Sequence, residues 1–268
     1  MKKDNQPILI IDSGLGGINI SNQLHCLLPQ EAIINLADTK HVPYSNKQPR
    51  DILNYVNHFI KAIKHYQPKL IVLACNTIDA LAGDKIASTF PNIPVMRIID
   101  ITSKKVASSS IDKTIGVFAT PHTIDSQSYA LSIGLYLDNS TIYGISCDEL
   151  AGLIEQQDFK NPELKAEIAA ASELSCDTIV LGCTHFTLVD HMFKKQYPQA
   201  VVVDSSKCLI DACINKVKLL NLDYNLEEKG SFKVIVNDID SDKLAIIKKI
   251  TNEDNLDVVL GNEDFISE

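Results

Sequence analysis

Apolar positions along the chain fall into short runs separated by helix-length stretches in which apolar residues recur every third or fourth position. Runs at Ile8–Asp12, Ala32–Leu36, Leu70–Ala74, Thr114–Ala119, Thr141–Ile145, Thr178–Gly182 and Val201–Asp204 predict strands. They read as continuous apolar segments without polar alternation, which predicts burial on both faces, as in parallel sheets covered by helices. Between them, Ile52, Tyr55, Val56, Phe59, Ile60 and Ile63 keep helical spacing. Pro162–Leu174 predicts a helix with proline in its first turn. The expected class is α/β.

The pattern also repeats. Lys69–Thr77 reads KLIVLACNT and Asp177–His185 reads DTIVLGCTH, which sets Cys75 and Cys183 108 residues apart. Moved by a similar offset, Ile8–Gly14 (ILIIDSG) falls on Gly116–Thr123 (GVFATPHT), again a strand entering a polar turn. Two matched pairs at nearly one offset predict a duplicated α/β unit. The expected halves are residues 1–98 and 99–207. The remainder predicts a helix at Cys208–Leu220, a polar stretch Asn221–Lys229, a strand at Phe232–Val236 and a helix at Ser241–Thr251. This tail is expected to pack back on the first half, so that 1–98 plus 208–268 form one domain and 99–207 the other.

Composition narrows the function classes. Hydrophobic residues make up 45% and charged residues 22%, the balance of an ordinary globular chain. No apolar run reaches the length of a membrane span or a secretory leader, so a cytoplasmic protein without membrane partners is expected. The net charge is −9 and the only arginines are Arg50 and Arg97. Nucleic-acid affinity depends largely on neutralising phosphates, so no nucleic-acid partner is expected. An anionic small molecule would have to be held by backbone N–H groups, hydroxyls and amides. The seven cysteines include no C-x-x-C, and reduced thiols are expected. Cys183-Thr184-His185 comes closest to a metal-ligand grouping but is too small for a metal centre, and no metal is expected.

In open α/β sheets, ligands lie beyond the carboxyl ends of the strands. There the sequence places Asp12-Ser13-Gly14, Cys75-Asn76-Thr77, Thr120-Pro121-His122-Thr123 and Cys183-Thr184-His185. Each of the two cysteines follows a strand and precedes a predicted helix, whose dipole is expected to lower the thiol pKa. Two such thiols facing each other suit inversion of an sp³ carbon, in which a thiolate removes a proton and a thiol on the opposite face delivers one. Asp12 and His185 are expected to hold or relay thiol protons. Ser13, Asn76, Thr77, Thr184 and nearby N–H groups are expected to grip a carboxylate. Cys26, Cys147, Cys176, Cys208 and Cys213 read as core thiols. Gly14-Leu15-Gly16-Gly17 lacks the third glycine of a dinucleotide fingerprint, since position 19 is Asn19, and a tight strand-to-helix turn accounts for it. Two other classes remain open: a cysteine hydrolase pairing Cys183 with His185 or His122, and a non-catalytic binding protein for acidic metabolites.

Four segments in order, DSGLGG (Asp12–Gly17), ADTKHVPYS (Ala37–Ser45), ACNT (Ala74–Thr77) and LGCTH (Leu181–His185), followed by VVDSS (Val202–Ser206), resemble the signature segments of glutamate racemases. That family lies within the cofactor-independent aspartate/glutamate racemase superfamily. The resemblance implies two similar α/β domains related by a pseudo-two-fold, with the active site in the cleft between them and neither pyridoxal phosphate nor metal. It implies Cys75 and Cys183 as the two catalytic bases, the first serving the D-enantiomer and the second the L-enantiomer. Asp12, Asp38, Glu155 and His185 match supporting polar residues, while Ser13, Pro43, Tyr44, Ser45, Asn76, Thr77 and Thr184 match substrate contacts. The implied substrate is L- or D-glutamate, the implied role supply of D-glutamate for bacterial peptidoglycan, and a homodimer is compatible with the family. Three departures stand out. Ser45 replaces a glycine, Ile98-Ile99-Asp100-Ile101 replaces Val-Ile-Glu-Pro, and Cys147–Glu155 has diverged from the family's Cys-Pro-Leu-Phe-Val-Pro-Leu-Val-Glu. The changes at Ser45 and Asp148–Gly152 keep aspartate or another small acid in view as substrate. The long N-terminal extension of members activated by a peptidoglycan precursor is absent, so activity without that activator is expected.

Overall fold

A computed structural model describes residues 6–220, 230–251 and 256–266. The polar stretch expected at Asn221–Lys229 lies outside them. The first half runs β1 (Ile8–Asp12), α1 (Leu15–Leu27), β2 (Ile33–Ala37), α2 (Pro49–Tyr66), β3 (Leu70–Leu73), α3 (Asn76–Thr89) and β4 (Val95–Arg97) into α4 (Ile98–Ser109). The second runs β5 (Thr114–Ala119), α5 (Pro121–Asp125), α6 (Ser128–Gly134), β6 (Thr141–Ser146), α7 (Leu150–Glu155), α8 (Pro162–Ala169), β7 (Thr178–Gly182), α9 (Asp190–Gln196) and β8 (Val201–Asp204). Then come α10 (Ser205–Leu219), β9 (Phe232–Val236), α11 (Ser241–Thr251) and β10 (Asp257–Leu260).

Two parallel sheets result, ordered β10-β9-β2-β1-β3-β4 and β6-β5-β7-β8. The inner order β2-β1-β3-β4 matches β6-β5-β7-β8 strand for strand, as a duplicated unit requires. The two tail strands extend the first sheet alone, with β9 lying on β2 from Ile33↔Phe232 to Ala37↔Val236.

Successive residues of a strand point to opposite faces, so continuous apolar strands feed two layers at once. Ile8 and Ile10 enter a core built with α1, α4, α10 and α11, which also takes Ile115, Val117 and Val180 of the second sheet. Leu9 and Ile11 face the other way, onto Ile52, Val56, Phe59 and Ile63 of α2. Phe118, Ile179 and Leu181 face a third layer with Leu164 and Phe193. One helical layer is thus shared between the sheets and brings their carboxyl ends together.

The structure departs from sequence expectation at several elements. The helix from Pro162 stops at Ala169 instead of Leu174, because the Tyr197 hydroxyl donates to Ile168 O at 2.7 Å and accepts Ala171 N–H at 3.1 Å, replacing helical bonds. The tail helix starts at Ser205 instead of Cys208, because Asp204 accepts the Ser206 and Lys207 N–H groups as an N-cap. The strands β4 and β10, three and four residues long, escaped the apolar pattern. Cys26 is exposed and Cys176 and Cys208 half-buried, so only Cys147 and Cys213 of the five are true core thiols. No helix among the described residues is long and apolar enough to cross a membrane.

Candidate active site

The carboxyl ends of β1, β3, β5 and β7 enclose a small cavity. Cys75, Asn76 and Thr77 enter it from the start of α3, Ser13 from the end of β1, and Cys183, Thr184 and His185 from the end of β7. Pro43, Tyr44 and Ser45 form a wall. Val42 and Ala151, together with Thr120, which the sequence places at a strand end but gives no site role, complete the lining. Thr120 had a signal: it closes β5, the counterpart of β1, and its hydroxyl lies 2.9 Å from that of Thr77. The cavity has a free volume of about 10 Å³, room for about one water molecule.

The two thiols sit in unlike surroundings. Cys75 precedes α3 and is buried, its Sγ 3.4 Å from Ser13 Oγ. Burial, reinforced by the Asp12 charge, pushes its pKa up to about 12. The expected lowering at a helix N-terminus therefore fails here, because desolvation of the thiolate outweighs a partial dipole charge. Cys183 precedes a 3-10 turn, Thr184–Val189, in place of the expected α-helix. Its Sγ lies 3.5 Å from His185 Nδ1, and His185 Nε2 lies 2.5 Å from Glu155 Oε1. Burial alone would lower the His185 pKa. The Glu155 carboxylate and Cys183 overcome that and raise it well above the ordinary 6.5.

Asp12 is fully buried. It accepts Gly14 N–H at 2.8 Å and the Thr184 hydroxyl at 3.2 Å, and so ties the two halves together. Burial raises its pKa to about 6, opposed by His185. Ser13, and not Asp12, makes the hydrogen bond to Cys75; Asp12 acts on that thiol through its charge. Glu155 is outside the lining and bridges the halves, accepting Leu15 N–H at 3.0 Å as well as facing His185. Asp38 is also outside the lining and receives the Tyr44 hydroxyl at 2.6 Å.

The glycine run does another job than the expected tight turn. No glycine among the described residues has a positive φ. A Cβ on Gly16 would lie 2.1 Å from Thr184 Oγ1, and one on Gly14 would lie 2.3 Å from Glu155 Oε1. Gly14 and Gly16 let the start of α1 lie against the second half, while a Cβ on Gly17 would lie 2.2 Å from Asp12 Cβ of its own half.

The cavity lining offers an anion hydrogen-bond donors that do not come from arginine. Asn76 Oδ1 accepts the Tyr129 hydroxyl at 2.7 Å, which leaves its buried Nδ2 as a donor with no partner among the described residues. Arg97 is occupied by Asp79 at 2.6 Å and by Asp84, and Arg50 is exposed. His122 bonds to Lys47 O at 2.7 Å, away from Cys183, which removes it from the hydrolase alternative.

Residues 19–213 match the Asp/Glu/Hydantoin racemase family. The glutamate racemase of Sulfurihydrogenibium sp. is 31% identical over 237 residues, spanning 87% of this chain and 88% of that one. That of Rippkaea orientalis is 30% identical over 226 residues, spanning 82% and 79% respectively. The glutamate racemase of Francisella tularensis, solved with D-glutamate, superposes with a TM-score of 0.89 at 26% identity and covers 98% of this chain and 100% of its own. With paired cysteines at matching strand ends and likeness running along most of its length, the chain belongs to the Asp/Glu/Hydantoin racemase family, among the amino-acid racemases of its glutamate-racemase branch.

Proposed function

We propose that this protein interconverts L- and D-glutamate by a two-base mechanism using Cys75 and Cys183. The observation that carries the reading is the pair of thiols lining one cavity from equivalent strand ends, one beside a histidine and the other with its pKa raised by burial. In the proposed cycle Cys183, 3.5 Å from His185, acts as the thiolate that removes the α-proton of L-glutamate and becomes a thiol. The Cys75 thiol delivers its proton to the opposite face and becomes a thiolate, with Ser13 as hydrogen-bond partner. The D-enantiomer runs the same steps in reverse. Asn76 Nδ2, with the hydroxyls of Thr77 and Thr184, would take the substrate carboxylate. Asp12, Glu155 and Asp38 orient the groups that touch substrate.

The same proposal assigns 1–98 plus 208–268 to one domain and 99–207 to the other, supported by the strand membership of the two sheets. It makes the enzyme a cytoplasmic source of D-glutamate for peptidoglycan. A second reading, racemisation of aspartate, is favoured by one observation: Ser45 puts a hydroxymethyl on the cavity wall where the family has glycine.

Incubation of the purified chain with L-glutamate in D₂O, following circular dichroism and α-carbon deuteration, tests both readings. Loss of the signal with deuterium incorporation on glutamate is expected. Exchange on L-aspartate alone would replace glutamate by aspartate, and exchange on neither would defeat the racemase reading.

A further inference from the structure

The parallel register of β2 and β9 sets Ala37 opposite Val236, so the next residues, Asp38 and Asn237, emerge side by side at the carboxyl ends of adjacent strands. Asp38 is buried, and its carboxylate is shared among three donors. Oδ1 accepts Asn237 Nδ2 at 2.6 Å and His41 Nδ1 at 2.7 Å, while Oδ2 accepts the Tyr44 hydroxyl at 2.6 Å. Asn237 cannot turn over, because its Oδ1 accepts Lys40 N–H at 3.0 Å. The position thus demands a donor and an acceptor in one planar group. Next to it, the Thr39 hydroxyl donates to Asp238 O, and Asp238 N–H returns to Thr39 Oγ1 at 3.2 Å.

We infer that Asn237 is a positioning residue for the reaction: it holds the Asp38 carboxylate, and through it the Tyr44 side chain, at the cavity wall. The inference rests on the racemase reading above. Tyr44 lines the cavity with Cys75. Its hydroxyl is aimed by one carboxylate oxygen, whose other oxygen is set by the tail amide. A small displacement of a substrate-facing wall is enough to lower turnover by an order of magnitude or more.

Kinetics of the Asn237→Ala and Asn237→Asp variants across pH, alongside Tm, test this. The charged and titratable groups facing Asp38 are Lys40, His41 and Tyr44 of its own loop, Tyr55 and His58 of α2, Asp238 beside Asn237, and Glu263. Asn237→Ala is expected to lose about tenfold in kcat/KM at every pH. Asn237→Asp puts two carboxyl groups in contact that cannot both ionise without repulsion. Sharing one proton, they restore the lost hydrogen bond. The activity of Asn237→Asp relative to parent should therefore approach unity near about pH 6 and fall to the Asn237→Ala level near about pH 9. Thr39→Val, which breaks only the neighbouring tail contacts, should show no such pH dependence.

Parent-like kinetics in Asn237→Ala, or a flat ratio in Asn237→Asp, would overturn the inference. So would a loss in Thr39→Val equal to that of Asn237→Ala at the same Tm, since it would assign the effect to tail docking. A parent chain that racemises nothing would instead remove the underlying reading, an outcome distinct from these.

Discussion

At the end of β3, Cys75 has a hydroxyl for a neighbour and a buried carboxylate close by. At the end of β7, Cys183 has an imidazole backed by a second carboxylate. Both positions occupy the same place in the two matched strand orders, yet burial raises the pKa of one thiol while the other faces an imidazole whose own pKa is raised. A symmetrical fold thus surrounds its two thiols asymmetrically. A reaction that needs one acid and one base is served by that difference, since two equivalent thiols would share a single tendency to ionise. In the proposed reaction, the difference pairs Ser13 with Cys75, and His185 with Glu155 alongside Cys183.

The comparison can be broken most severely at the sulfurs. Cys75→Ala and Cys183→Ala should each lower racemisation by about 10³-fold, read by circular dichroism from either enantiomer. Near-parent turnover in either variant would mean that a single thiol suffices. A smaller loss, about 10²-fold, is expected for His185→Asn with L-glutamate as substrate. The ascending limb of its pH–rate profile should also move to higher pH, because the imidazole beside Cys183, the one basic group among the described residues within hydrogen-bond reach of it, is gone. An unmoved limb would place the activating charge elsewhere.

Asp12 sharpens the comparison on the other side. Its folded pKa, about 6, lies above the ordinary 3.8, so the folded chain holds an extra proton between those values. Stability is full below that window and declines as pH rises through it. About two pKa units correspond to about 3 kcal/mol for this fully buried group. Asp12→Asn should therefore unfold at higher urea concentration than the parent at pH 8, show little gain at pH 4, and turn over about tenfold more slowly. An equal gain at both pH values would show that burial of the charge is not the cause.

Much of this was legible in the sequence, for identifiable reasons. Ile8–Asp12 and Thr178–Gly182 are buried on both faces, so their apolar runs alone mark parallel strands. The matched ACNT and GCTH segments mark both cysteines, because each immediately follows such a run. Environment was harder to see. The dipole argument for Cys75 ignored how deeply its sulfur is enclosed, and the glycine run said nothing of Thr184, which meets it from the far half. Thr120 went unselected because a threonine after a strand has no distinctive chemistry until Thr77 is found beside it. Asn237 is separated from Asp38 by 199 residues, and only the β2–β9 register makes them neighbours.

That register has a consequence for how the protein is made. A chain growing at about 5–20 residues per second takes about 10–40 s to advance from Asp38 to Asn237. During that interval both thiols and all four strands of the second sheet have been synthesised, while the outer edge of β2 lacks its partner. An unpaired edge is open to wrong strands. The nascent protein therefore carries its thiols and the Tyr44 wall before it carries Asn237, which bonds to Asp38 behind that wall, and the first half stays vulnerable to misassembly well after the second can fold.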